Sequence, residues 1–151
     1  MPIVRTQKND SVATPADLYN QLNVIFHFNH DPCPIDGMDG LNDEVPWGTI
    51  NFVNPPYSDV KPWLERGLKE KKKGNSSVFL IPLRPTTKYW NELVFPNADQ
   101  IFVFRDKVKF EGYAKPLPLD LSIVVFRPEP EHLLIASGPY RMFCIHDVTS
   151  F

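Results

Sequence analysis

The chain has little cysteine, no long apolar stretch and almost no charge imbalance, and each shortage removes a class of protein. Two cysteines, Cys33 and Cys144, are too few for a disulfide scaffold. No run of about eighteen apolar residues occurs, so no segment is expected to span a membrane. The opening residues, MPIVRTQKND, lack the apolar core of a signal peptide, and an intracellular location is expected. A net charge of −2 argues against a protein that coats nucleic acid by bulk electrostatics, while leaving room for a local basic groove.

What is present reads as a globular domain. Hydrophobic residues at 42% and charged residues at 23% favour a packed core over disorder. With 151 residues there is material for one core, expected over 14–151 behind a loose, patternless arm at 1–13. Several of the sixteen prolines follow apolar runs (Ile81-Pro82, Phe95-Pro96), where a residue without an N–H ends a strand or helix.

Thr14-Pro15 is expected to open a helix, with the hydroxyl residue as N-cap and an apolar stripe at Leu18, Leu22 and Ile25, flanked by Tyr19 and Phe26. A strand is expected over 26–30, ending at Asp31-Pro32, followed by a loop over 32–46 rich in Asp, Gly, Pro and Asn. Further strands are expected at 49–53, 77–83, 101–104, 108–110 and 121–126, with a last one at 141–148. Helices are expected at 61–73, stopped by Gly74, and at 89–94. Strands alternating with helices point to an α/β sheet, mainly parallel, with an antiparallel hairpin near the carboxyl end. Ligands of such sheets sit outside the carboxyl ends of the strands, where Asp31-Pro32 and Asn54-Pro55 fall.

Asn54-Pro55-Pro56-Tyr57 carries the most specific chemistry. The lone pair of an aromatic amine is delocalised into its ring and attacks poorly. Two acceptors aimed at its N–H bonds would draw it toward tetrahedral geometry and stabilise the charge that develops. The Asn54 side-chain carbonyl is one such acceptor. The Pro55 backbone carbonyl is the other, held by two consecutive prolines. Tyr57 can stack on a flat base. No ionisable base is required, because the methylated ammonium is acidic enough to lose its proton to water. The plain alternative is a strand that ends in a Pro-Pro turn followed by a buried tyrosine.

Other features divide between structure and function. His27, His30 and Cys33 have zinc-like spacing, but two histidines three apart on a strand point to opposite faces, so no metal is expected. Lys69, Lys71, Lys72 and Lys73 complement a helix C-terminus. Arg84, Lys88 and Trp90 follow a buried strand and mix cations with an aromatic, a combination suited to phosphate contact and base stacking, although Trp90 alone fits a core position as well. Among Asp36, Asp39, Asp43 and Glu44, Asp39 is the expected partner of a ribose, with Asp36 in reserve.

In order along the chain, Thr14-Pro15, Asp31-Pro32-Cys33, Asp39-Gly40-Leu41, Trp47, Asn54-Pro55-Pro56-Tyr57-Ser58, Trp63, Leu80-Ile81-Pro82-Leu83-Arg84, Trp90, Val108-Lys109-Phe110, Pro118 and 122–126 resemble the phage-type DNA N-6-adenine methyltransferases. The resemblance runs from Thr14 to about Phe126. It implies a shortened Rossmann-like methyltransferase sheet and a location in the cytoplasm or nucleoid of a bacterial host. It also implies methyl transfer from S-adenosylmethionine to N6 of adenine in DNA, single-stranded or with the adenine flipped out. Asn54, Pro55, Pro56 and Tyr57 would be catalytic. Thr14, Pro15, Asp31, Pro32, Cys33, Asp39 and Asn54 would hold the cofactor, and Tyr57, Arg84, Lys88 and Trp90 the substrate. The chain departs from the family in having Pro32-Cys33-Pro34 where a Gly-x-Gly is usual, and in lacking the glycine-arginine pair near 105–110. Only thirteen residues separate Cys33 from Trp47, too few for two βα units of about thirty residues each. Two other readings stand beside this one: an enzyme with a different amino target, and a non-catalytic or partner-dependent subunit that binds nucleic acid, a protein or a second copy of itself.

Overall fold

The computed structural model describes residues 12–34 and 39–148; residues 1–11 of the expected arm and the reserve acid Asp36 lie outside the described residues. Its first helix, α1 (Ala16–Phe26), forms where the apolar period is 3.6, and Leu18, Leu22 and Phe26 are buried. The helix is capped by Pro15 with no side-chain bond, and Thr14 points its hydroxyl elsewhere. It ends at His27, whose φ of 56° is left-handed, with the Asn23 carboxamide accepting the Phe28 N–H at 2.7 Å.

Strand β1 (Ile50–Val53), helix α2 (Lys61–Lys72) and strand β2 (Ser76–Pro82) form a parallel crossover. A single π-helical turn (Trp90–Val94) precedes β3 (Gln100–Phe104), and β4 (Leu121–Phe126) and β5 (Met142–Asp147) complete the sheet in the order β1-β2-β4-β3-β5. Residue His30 adds an isolated parallel bridge to Asn51, which is all that forms of the strand expected at 26–30.

The expected mainly parallel, Rossmann-like sheet is not what forms. Only β1 pairs with β2 in parallel; β2–β4, β3–β4 and β3–β5 are all antiparallel. The carboxyl-terminal strands make no hairpin together either, because β5 pairs with β3 and β4 lies between β3 and β2. The physical reason is that β4, apolar but for Ser122, is buried along its whole length. Such burial marks a central position in a sheet and carries no information on strand direction. No strand forms at 108–110; Val108 and Phe110 are buried as anchors of a loop.

Phe52 meets Tyr19 of α1 at 5.3 Å between ring centroids, while Phe79 lies against Gly67 of α2, where an added Cβ would come within 2.6 Å of its ring. Phe52 pairs with Val78, the neighbour of Phe79, so these two rings face opposite sides and the helices sandwich the sheet. Among the described residues, no helix is long and apolar enough to cross a membrane.

A buried cation fixes the loop ahead of β1. Arg66 of α2 pairs with Glu70 at 2.9 Å and donates to the carbonyls of Gly40, Asn42 and Val45 at 3.0, 3.2 and 2.8 Å. The Trp47 ring lies 5.0 Å beneath its guanidinium, and the Trp47 indole donates to the same Gly40 carbonyl at 2.8 Å. Burial raises the Glu70 carboxyl, but hydrogen bonds from Asn75 and Arg66 and the charges of Arg66 and Lys73 outweigh it, so the group titrates below its ordinary range. A depressed folded value contributes stability that is present above the unfolded carboxylate range and is lost as pH falls through the folded one. Glu70→Gln is therefore expected to destabilise the chain by about 3 kcal/mol at pH 7 and by clearly less at pH 3, read from urea midpoints. An equal loss at both values would contradict the charge-based account.

Candidate functional site

A cavity of about 360 Å³ opens between α1, the end of β1 and the segment 31–34, a size within the roughly 300–1,000 Å³ typical of small-molecule sites. Residues 29–30 run alongside β1, with Asn29 N–H donating to the Ile50 carbonyl and Phe52 N–H to the His30 carbonyl. Both chains leave the sheet at the same edge, which brings Asp31 and Asn54 to one cavity. Thr14 and Cys33 line it too.

Asn54 is the organising side chain. It is 7% exposed, and its Nδ2 donates to the Val12 carbonyl at 2.8 Å and to the Thr14 hydroxyl at 2.9 Å. The Val12 carbonyl can only accept, so the orientation of the amide is fixed by chemistry. Oδ1 is left buried with no partner. A buried carbonyl oxygen without a donor costs stability unless a ligand supplies one. Among the described residues no hydrogen bond ends on the Pro55 carbonyl either.

Asp31 accepts the Cys33 N–H at 2.9 Å, a turn that places its carboxylate at the cavity and the Cys33 thiol in the wall. Tyr19 stands close by: burial raises its phenol above the ordinary value, with the Asp31 charge adding to the shift. Carboxylate, orphaned amide oxygen and the apolar surfaces of Tyr19, Phe52 and Cys33 together suit a ligand with a flat ring and several N–H or O–H donors.

Other expected site residues lie apart from this cavity. Pro15 and Pro32 do not line it: Pro15 caps α1, and Pro32 is buried with its carbonyl against Gly40, where an added Cβ would come within 2.0 Å. Asp39 is exposed and its carboxylate accepts the Leu41 N–H at 3.2 Å, so its role here is a turn, and among the described residues the acid that reaches the cavity is Asp31. Trp90 is fully buried in the π-helical turn, edge-on to Phe95, and is core, not a substrate platform. Arg84 Nη1 donates to the Tyr57 carbonyl at 3.4 Å, while Lys88 is exposed and faces Glu92 at 4.0 Å. Tyr57 is 7% exposed, with its ring edge-on to Phe110 at 6.3 Å and its hydroxyl buried without a partner. Burial alone pushes its phenol far above the ordinary range. In this arrangement Tyr57 is a wall of the loop that follows β1, and its ring face is closed to an incoming base.

Sequence reasoning passed over Val12, Ala16, Tyr19 and Asn20 as cavity residues. Ala16, Tyr19 and Asn20 stand at i, i+3 and i+4 on α1, a spacing that puts them on one face. That face could have been found from the helix period once Thr14 was placed at the site. Val12 left no local signal. His27 is exposed at the helix cap, and among the described residues no group of three or more His, Cys, Asp or Glu is placed to hold a metal ion.

No family model matches the chain, and no curated protein matches it either.

Because the Tyr57 hydroxyl is desolvated without compensation, Tyr57→Phe is expected to leave stability unchanged or raise it by about 1 kcal/mol, measured as the urea midpoint at constant slope. A loss of about 1 kcal/mol or more would mean that the hydroxyl has a partner after all.

Proposed function

We infer that the chain is a methyltransferase that uses S-adenosylmethionine to methylate an exocyclic amine, the N6 of adenine in DNA. The observation that carries this reading is the Asn54 amide: its nitrogen is bound on two sides, its oxygen is buried and unpartnered, and the residue lines a ligand-sized cavity. A structural asparagine would satisfy both ends. Here the acceptor end is held ready and the donor end does the holding, which is the preorganisation that amine activation requires.

The residues fit the cofactor. Asp31 is the acceptor for its hydroxyl or ammonium groups, Tyr19, Phe52 and Cys33 offer surface for the adenine ring, and Thr14 closes the wall. Bound there, S-adenosylmethionine supplies an activated methyl group. The chain's own part is to bind and orient the acceptor amine: Asn54 Oδ1 takes one N–H, the Pro55 carbonyl takes the other, and the nitrogen is drawn toward tetrahedral geometry. The proton released after transfer passes to water, so no titrating side chain is needed. The resemblance of Asn54-Pro55-Pro56-Tyr57 and its flanking segments to the phage-type adenine enzymes supports adenine as the target. A bacterial cytoplasmic or nucleoid location follows the same reading.

The buried Tyr57 ring favours a second reading, in which a protein partner or a second copy of the chain must act on the catalytic loop before turnover. The test is transfer of labelled methyl from S-adenosylmethionine to adenine-containing DNA by the full chain. Asn54→Ala is expected to lower the rate constant at least about a hundredfold, the scale of losing one preorganised group. Label on adenine from wild type and none from Asn54→Ala supports the enzyme. Equal labelling by both removes Asn54 from the chemistry, and no labelling by wild type leaves the partner-dependent subunit.

A further inference from the structure

Two arginines stand side by side where β3 ends and β5 begins. The Arg105 N–H donates to the Arg141 carbonyl at 2.9 Å, which carries the β3–β5 register one step past Phe104 and Met142. Residues directly opposite in an antiparallel pair share a face, and both arginines line a groove of about 310 Å³. Like charges in that position are destabilising. Asp106 offsets only one of them: it accepts from Arg141 Nε and Nη2 at 3.0 and 2.8 Å. Among the described residues no carboxylate pairs with Arg105.

The rest of the groove is a turn held from behind. Gln21 of α1, 5% exposed, donates through Nε2 to the Ala136 and Tyr140 carbonyls at 3.0 and 2.8 Å and accepts the Tyr140 N–H at 3.0 Å. One side chain thus ties both ends of the turn 136–140. Gly138 lies against it so closely that an added Cβ would stand 2.4 Å from Gln21 Oε1. This fixed turn brings Ser137 to the groove, and Ile135, Tyr140 and Met142, each half-buried, complete the lining. Among the described residues no aspartate or glutamate lines it.

We propose that this groove binds the phosphate of a small phosphomonoester with a flat or apolar body. A guanidinium presents a planar fork that matches two phosphate oxygens, and Arg105 has that fork free of any carboxylate. A phosphomonoester carries about −1.5 to −2 charge at neutral pH, so on entering it turns the unfavourable Arg105–Arg141 juxtaposition into an attraction. The Ser137 hydroxyl is a further donor, and Ile135, Tyr140 and Met142 receive the body. One phosphate fits better than a strand of them, because acids bound the spot: Lys107 pairs with Asp120 at 2.7 Å, and the neighbouring groove that shares Tyr140 holds Asp17 and Glu111. The site lies apart from the cavity of Asp31 and Asn54 and does not depend on the methyltransferase reading.

Titration calorimetry of phenyl phosphate into the full chain, in phosphate-free buffer, tests this site. Wild type is expected to bind with a Kd below about 1 mM, and inorganic phosphate to compete. Arg105→Ala should weaken binding at least about tenfold. Arg105→Lys should fall between the two, since a point charge keeps the attraction and loses the fork. Arg105 is exposed and has no carboxylate to lose, so without ligand the urea midpoint of Arg105→Ala should equal or exceed that of wild type. A DNA oligonucleotide without terminal phosphates should leave bound phenyl phosphate in place. No binding by the folded wild-type chain, or binding unchanged in Arg105→Ala, overturns the proposal. So does a clear fall in the urea midpoint of Arg105→Ala, which would make the arginine structural. Displacement by the oligonucleotide also overturns it, and assigns the groove to a nucleic-acid backbone instead.

Discussion

The Arg66 guanidinium is the constraint on which the cavity depends. A buried arginine needs acceptors for its five N–H donors, and here Glu70 and three backbone carbonyls of residues 40–45 take four of them. The geometry of that loop is thereby dictated from α2. Gly40, which accepts from both Arg66 and Trp47, is held so close to Pro32 that only hydrogen fits between them. Pro32 in turn sits between Asp31 and Cys33 of the cavity wall. A charge on one face of the sheet thus sets the position of a carboxylate at its edge through one glycine.

The second constraint is the Asn54 amide. An aspartate there could not donate to the Val12 carbonyl, and a leucine could neither donate nor accept. Asparagine alone among the common residues of that size ties down the segment 12–14 and still keeps an acceptor oxygen without a partner. The same bonds explain why Thr14 does not cap α1: its hydroxyl accepts from Asn54. Positioning of the Asn54 amide and closure of the cavity wall are one interaction.

Local order was legible in the sequence and global order was not. The helix at 61–73 and the strands at 77–83 and 121–126 match α2, β2 and β4 within a residue, because period and punctuation are local signals. Strand direction depends on which strands meet, and neither β4 nor β3 carries a mark of it. Aromatics misled for a related reason: Trp90 and Tyr57 are as suited to a core as to a base, and burial decided both. Asp39 and Asp31 look alike as loop acids, and only the path of the chain after His30 separates the one that makes a turn from the one that reaches the cavity. The pairing of Thr14 with Asn54, forty residues apart, had no local signature at all.

A methyltransferase of this design must hold S-adenosylmethionine in the cavity between α1 and β1. Titration calorimetry of S-adenosylmethionine into the full chain, alongside Asp31→Ala, addresses that most directly. Binding at micromolar strength that Asp31→Ala weakens at least about tenfold, the effect of removing a carboxylate's charge-assisted hydrogen bonds, is the expected result. No heat and no displacement by S-adenosylhomocysteine with the folded wild-type chain would contradict it, and with it the claim that the orphaned oxygen of Asn54 waits for an amine.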